Sequence, residues 1–324
     1  MKKFLALMLA MVMALSLVAC GEQPTTEPEV TDPQPEQQAE ATLTTVTPGK
    51  LTVATSPDFA PYEFYSIDEA GNYTLAGFDM ALAQYIADYL GLELEVIPMD
   101  FDGTLTELAA KSVDLSLAGY SPDPTRMDKM DFSEIYYQGG QSFVTVKDKV
   151  DLFPTLADAN KADFSIGAQN GSIQWDLAME NTPDADNVSL QKVTDIIGEL
   201  IAGTLDGAFI ETAVAECYAI NYPELVVLHN VPYEQEGSAV GVSKGNAELL
   251  NGVNEAIAQA LADGSMSQFV AEANELATGN ILEGLLDGDC ETFYPSGWSD
   301  DYAPKSVVEV EDPETGDVEE QEVY

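Results

Sequence analysis

The stretch AGYSPDPTRMDKMDFSE, residues 118–134, contains the only arginine of the chain, Arg126, in a protein with 12 Lys+Arg against 57 Asp+Glu. A surface cation could have been lysine, as every other basic side chain here is. Arginine differs in its planar fork, which grips a carboxylate through two parallel hydrogen bonds. Two kinds of partner are open to it: an internal acid (Asp128, Asp131 or Glu134) or the carboxylate of a ligand. Exposed internal pairs contribute only ~0–1 kcal/mol, and lysine would serve nearly as well. A lone guanidinium after a Ser-Pro-Asp-Pro turn therefore points to a ligand. A second anion-binding feature is the turn Gln169-Asn170-Gly171-Ser172, which precedes a predicted helix. The backbone N–H groups of Ser172 and Ile173, placed at a helix start, form a natural anion site.

The elements around these residues alternate. A strand is predicted over 51–55 and a helix over 78–90, with Phe78, Leu82, Tyr85, Ile86 and Tyr89 on one face and Gly91 as its stop. A strand over 92–97, a helix over 103–111 and a strand over 113–118 follow. That order implies a parallel sheet covered on both faces. Ligands of such sheets bind outside the carboxyl ends of the strands, where SPDFAPYEF and AGYSPDPTR fall. A second α/β unit is expected from strands at 164–168, 205–210, 226–229 and 239–243. Its helices are predicted at 173–179, 194–203 and 211–219, with more helix within 247–276.

The chain ends read differently. Lys2 and Lys3 precede an apolar run too short for the ~20 residues of a bilayer span, followed by Cys20: a secretory signal pattern. Leu17-Val18-Ala19-Cys20 resembles the lipobox of bacterial lipoproteins, implying a signal peptide over 1–19 and lipidation of Cys20, which would hold the protein on a membrane. The Pro-, Thr-, Glu- and Gln-rich segment within 20–49 is expected to be a disordered tether, and 280–324 an acidic extension. A formal net charge of −45 argues against nucleic-acid binding, since no basic patch is available to displace counterions from phosphates.

Other residues carry weaker signals. Cys217 and Cys290 form no C-x-x-C pair and His229 is the one histidine, so neither a metal site nor a cofactor is expected. Cys217 shares a helical face with Val214 and Tyr218, as a buried thiol would; a disulfide to Cys290 is the alternative. Trp175, His229 and the Met127/Met130 pair are expected to pack rather than to bind.

The run DFAPYEFY…GFDMALAQYIADYLGLELEVIPMDFDGTLTELAAKSVDLSLAGYSPDPTRMDKMDFSEIYY resembles the polar amino-acid-binding proteins of bacterial ABC importers, extracellular solute-binding family 3, over residues of about 51–277. The resemblance implies an α/β, two-lobe, periplasmic-binding-protein-like (type II) fold, with mostly parallel sheets flanked by helices and two hinge strands. Lobe 1 would comprise 50–144 and 237–279, and lobe 2 residues 145–236, with crossings near 143–146 and 236–239. By the same resemblance Arg126 and Ser121 hold the α-carboxylate of a free amino acid, helped by the N–H groups of Ser172 and Ile173. The Gly119 carbonyl and Glu211 take its ammonium, and Phe59 and Phe101 flank it; read from the residues alone, the alternatives are a helix-start acid for Glu211 and core packing for Phe59 and Phe101. Three positions depart from the pattern. Asp123 stands where members often have threonine, Glu211 is one methylene longer than the usual aspartate, and Ser56 occupies a position where some members have an acid that reads the side chain. The implied protein is a non-enzymatic, monomeric receptor, lipid-anchored on the extracytoplasmic face of a Gram-positive-type cell membrane, that delivers its amino acid to an ABC permease. The alternatives are an exported enzyme of the cyclohexadienyl-dehydratase type, a sensing module and an adhesin.

Overall fold

The computed structural model describes residues 43–68, 71–234 and 237–278, together with the backbone of two strands at 306–311 and 318–323. The leader, Cys20, most of the tether, Cys290 and the remainder of the acidic extension lie outside the described residues.

In chain order the elements begin with β1 (Lys50–Thr55), β2 (Asp58–Phe59), β3 (Glu63–Ile67), β4 (Tyr73–Ala76), α1 (Phe78–Leu90), β5 (Glu93–Pro98), α2 (Phe101–Ala110), β6 (Leu115–Ser116) and β7 (Met130–Tyr137). They continue with β8 (Gln141–Val146), β9 (Ser165–Gln169), α3 (Ile173–Asn181), β10 (Asp186–Leu190), α4 (Val193–Ala202), β11 (Gly207–Glu211), α5 (Thr212–Asn221) and β12 (Leu225–Asn230). Last come β13 (Ser238–Ser243), α6 (Ala247–Asp263), α7 (Ser265–Ala277) and an antiparallel pair, β14 (Ser306–Glu311) and β15 (Val318–Val323).

Two five-stranded sheets organise the two lobes, ordered β5-β1-β6-β13-β7 and β10-β9-β11-β8-β12. In each, one strand runs against the rest: β13 pairs antiparallel with β6 and β7, and β8 with β11 and β12. β1 is buried from Leu51 to Thr55, which its Leu-Thr-Val-Ala-Thr sequence permits because both faces of a parallel sheet are covered. α1 covers it with Phe78, Leu82 and Ile86, all fully buried. Tyr89, expected on that face, is 41 % exposed and its hydroxyl reaches Glu255 of α6 at 3.3 Å.

The first crossing lies a few residues before the expected 143–146. Phe143 and Val144 are fully buried within β8 of the second sheet, so the first crossing falls at residues 138–140. Gln138-Gly139-Gly140 has little side chain to commit to either core. Gly139 is also packed so closely that a Cβ there would stand 2.7 Å from Glu211 Oε1 and 2.8 Å from the Tyr62 hydroxyl. Of the return crossing expected at 236–239, Ser238 and Ala239 already pair with Tyr137 and Ile135; Gln235 and Glu236 lie outside the described residues. β2 to β4, β7 and β10 were not predicted, and β8 was expected only as a hinge strand. Asp-Asn-Val-Ser-Leu of β10 is half-exposed and polar, with nothing in its pattern to separate it from a loop.

Candidate functional site

Arg126 ends a short 3-10 turn, Pro124–Arg126, which Asp123 starts by accepting the Thr125 N–H at 2.7 Å. The departure at Asp123 is thus a cap, a role that aspartate fills well. The Arg126 guanidinium projects across the cleft: Nη2 donates to the Gly171 carbonyl of the other lobe at 2.9 Å, and the group lies 5.9 Å from the centre of the Phe101 ring. Of the internal acids open to it, Asp131 is taken by Lys244, whose Nζ lies 2.6 Å away.

The strip before Arg126 is packed from two sides. Gly119 has φ +58, and a Cβ on it would fall 2.7 Å from the Phe59 ring. Phe101 meets Tyr120 with ring centroids 5.3 Å apart, and Ser121 is buried. Phe59 and Phe101 therefore hold the strip between them, and Asp79 Oδ2 accepts the Gly119 N–H at 3.1 Å.

From the second lobe, the turn after β9 comes down on α2. Asn170 Nδ2 donates to Asp102 Oδ2 at 3.0 Å. Ser172 caps α3 by accepting the Trp175 N–H at 3.2 Å, while its own N–H turns onto the Gln169 carbonyl at 3.3 Å. Turn closure thus engages the Ser172 N–H, which the resemblance assigned to a ligand carboxylate. Ile173 N–H stands in the first turn of α3, where such groups lack intrahelical acceptors.

Ser56 and Asp58 act together. Ser56 Oγ donates to Asp58 Oδ1 at 2.9 Å. Asp58 Oδ2 accepts two bonds from the other lobe, from Val193 N–H at 2.6 Å and Gln169 Nε2 at 3.2 Å. Val193 opens α4, so the carboxylate sits at a helix N-terminus, where the helix dipole favours negative charge. Burial pushes the Asp58 carboxyl up to about 6, against the lowering effect of these donors. Sequence reasoning missed Asp58 and Gln169; the one signal was an acid two residues after Ser56.

Glu211 caps α5. Its Oε2 accepts from Val214 N–H at 2.9 Å and its Oε1 from Gly140 N–H, at the first crossing, at 3.2 Å. The Tyr62 hydroxyl lies beside it and 3.1 Å from Ser238 Oγ. One carboxyl thus ties a helix of lobe 2 to the first chain crossing. Burial pushes it up to about 7 despite these bonds.

The bland expectations fare variously. Trp175 packs against the second-lobe core, and His229 Nε2 meets the Phe153 carbonyl at 2.8 Å. Cys217 is buried, its thiol pushed up to about 12 by burial. Met130 is buried, but Met127 is 44 % exposed and so does not pack as expected. Among the described residues no group of acids, histidines or cysteines is arranged to hold a metal, and no helix is long and apolar enough to cross a membrane.

This cleft between two crossed α/β lobes has counterparts. The family model for bacterial extracellular solute-binding proteins, family 3, matches residues 51–273. The chain belongs to that family. It is 30 % identical over 273 residues to the arginine-binding extracellular protein ArtP of Bacillus subtilis, covering 83 % of this chain and 96 % of the relative. Among solved structures it resembles an amino acid ABC transporter substrate-binding protein, AbpA of Streptococcus pneumoniae, bound to L-arginine, at TM-score 0.68 and 31 % identity, over 72 % of this chain and 97 % of that one. The family also borders an enzyme: cyclohexadienyl dehydratase of Pseudomonas aeruginosa is 26 % identical over 56 % of this chain and 66 % of its own length.

Proposed function

We propose that this family member is the extracytoplasmic receptor of an ABC importer, closing its lobes around one free amino acid, with L-arginine the first candidate. The reading rests on one observation above others: the sole arginine stands on lobe 1 directly opposite the Gly171 turn of lobe 2. Arg126 and Ser121 take the α-carboxylate, helped by the Ile173 N–H at the start of α3. The Gly119 carbonyl and Glu211 take the ammonium, and Phe59 and Phe101 flank the ligand. The names of the arginine-binding relatives and the carboxylates at the cleft, Asp58 and Asp102, support a cationic side chain, with Asp58 and Ser56 at its far end. Cys20 carries the lipid that holds the receptor at the outer face of the membrane, where the closed form docks on its permease as a monomer.

Thermal melting of the refolded, ligand-free protein against each amino acid tests this. A ligand at a hundred times its Kd adds ~2.7 kcal/mol to stability. A shift with arginine or a small set of amino acids, lost in Arg126→Ala, is expected; no shift with any of them would sink the reading. A second reading, an exported dehydratase, draws support from the enzyme relative and from Glu211, a buried carboxyl able to hold a proton near neutral pH. Its test is turnover of arogenate or prephenate, lost in Glu211→Gln. We expect none.

A further inference from the structure

Lobe 1 buries two acids that take no part in closing the cleft. Glu63 of β3 and Asp79, in the first turn of α1, are both fully buried, with their carboxyls within hydrogen-bonding reach of each other. Asp79 is well supplied with donors: Oδ1 accepts from the Tyr136 hydroxyl at 2.7 Å and Oδ2 from the Gly119 N–H at 3.1 Å. Neither oxygen of Glu63 meets an N–H or O–H group among the described residues.

Two bare carboxylates in contact inside a dry core repel, and such a pair retains one proton. An ionised Glu63 without donors would also bear the full cost of a buried, unpaired charge. A proton on Glu63 removes both difficulties. The un-ionised acid donates its O–H to Asp79, which remains a carboxylate toward Tyr136 and Gly119. The other titratable groups facing the pair are Asp58 and the phenols Tyr62, Tyr120 and Tyr136, none of which would compensate a second negative charge.

The far end of this chain of bonds is the peptide at which the cleft strip turns. Gly119 leaves it in a left-handed conformation, φ +58, and Ser121 follows. We infer that Glu63 and Asp79 share a single proton, and that this acid pair is the positioning element that fixes the Gly119 turn and with it the ligand-facing strip. The inference rests on the proposed amino-acid site and adds its support from behind.

Infrared difference spectra of the purified protein at about pH 8, where ordinary carboxyls are ionised, are expected to show a buried un-ionised carboxylic acid that Glu63→Gln abolishes. Glu63→Leu, which takes the donor from Asp79, should bind L-arginine about tenfold more weakly, with Glu63→Gln restoring most of the loss. The absence of the band, or its persistence in Glu63→Gln, overturns the shared proton. Unaltered binding in a folded Glu63→Leu overturns the positioning role. Should Glu63→Leu not fold, Tyr136→Phe replaces it: with one donor fewer on Asp79, the Gly119 amide proton is expected to shift downfield, and an unmoved resonance overturns the coupling. If the unaltered protein takes up no amino acid, the proposed function fails, while the infrared band and the Gly119 resonance still decide the pair.

Discussion

Arg126 and Glu211 were the two charged residues that the sequence marked for opposite ends of a zwitterion, and the structure places them in unlike surroundings. Arg126 is half-buried at the cleft, with one N–H on the Gly171 carbonyl and others free in geometry to fork onto a carboxylate. Arg126→Lys keeps the charge and loses the fork. Calorimetric titration should show amino-acid binding weakened by ~1.5–3 kcal/mol; affinity within twofold of the unaltered protein would remove the side chain from the site. Glu211 is 2 % exposed, and its oxygens already serve Val214 and Gly140, so an ammonium would join an occupied carboxylate. Its extra methylene has a structural use, since the same group caps α5 and reaches the crossing.

At the scale of elements, the site is made by turns that end strands and start helices. Ser172 caps α3 and closes the turn onto Gln169. Ser172→Ala should cost ~1 kcal/mol of stability, read from denaturant unfolding, and loosen binding as well because the Gly171 carbonyl belongs to the same turn. Gly119 is the stricter position. Its left-handed φ strains any L side chain, and the Phe59 ring lies 2.7 Å from where a Cβ would be. Gly119→Ala is expected to displace Phe59 and to weaken amino-acid binding by at least ~1 kcal/mol. Binding as tight as before, in a protein of unchanged fold, would show that the strip is not the ligand's seat.

At the scale of the molecule, the lobes meet through Asp58, Asn170 with Asp102, and Arg126 with Gly171. Asp58→Ala leaves the Val193 N–H and the Gln169 amide of the other lobe without this acceptor. Small-angle scattering of the ligand-free protein should then show a larger radius of gyration; an unchanged value would mean that Asp58 does not hold the lobes together. Buried acids also set the pH dependence. Glu211 is raised from 4.5 to about 7, and Asp58 and Asp79 from 3.8 to about 6. The folded chain therefore binds protons that the unfolded chain has released, so the stability these groups lend is complete below about pH 4 and is lost as pH rises through 6 to 7. For Glu211 alone the loss is about 3 kcal/mol. The melting temperature should fall between about pH 5 and 8, and Glu211→Gln should flatten that fall; a melting temperature that rises over this range would refute the assignment.

Much of this was legible locally. The helix at 78–90 was fixed by its apolar spacing and by Gly91 at its end, and β1 by an unbroken buried run, because both depend on residues near in sequence. Arg126 stood out for a chemical reason, being the one planar cation in an acidic chain, and the turns on either side of the cleft were readable from their Gly, Pro and Ser residues. Other features depend on residues far apart. Asp58 in SPDF looks like any turn acid until α4, 135 residues further on, brings its N-terminus to the carboxylate. Glu63 and Asp79 look like solvated charges until the first sheet and α1 close over both. The resemblance makes Phe143-Val144-Thr145-Val146 a crossing strand, and only its pairing with β11 and β12 seats it inside the second sheet. Sequence alone determined the local elements and the chemistry available to them, since propensity and side-chain type act at short range. The tertiary structure decided which acids lose water and which lobe each strand joins, because burial and pairing belong to the assembled chain.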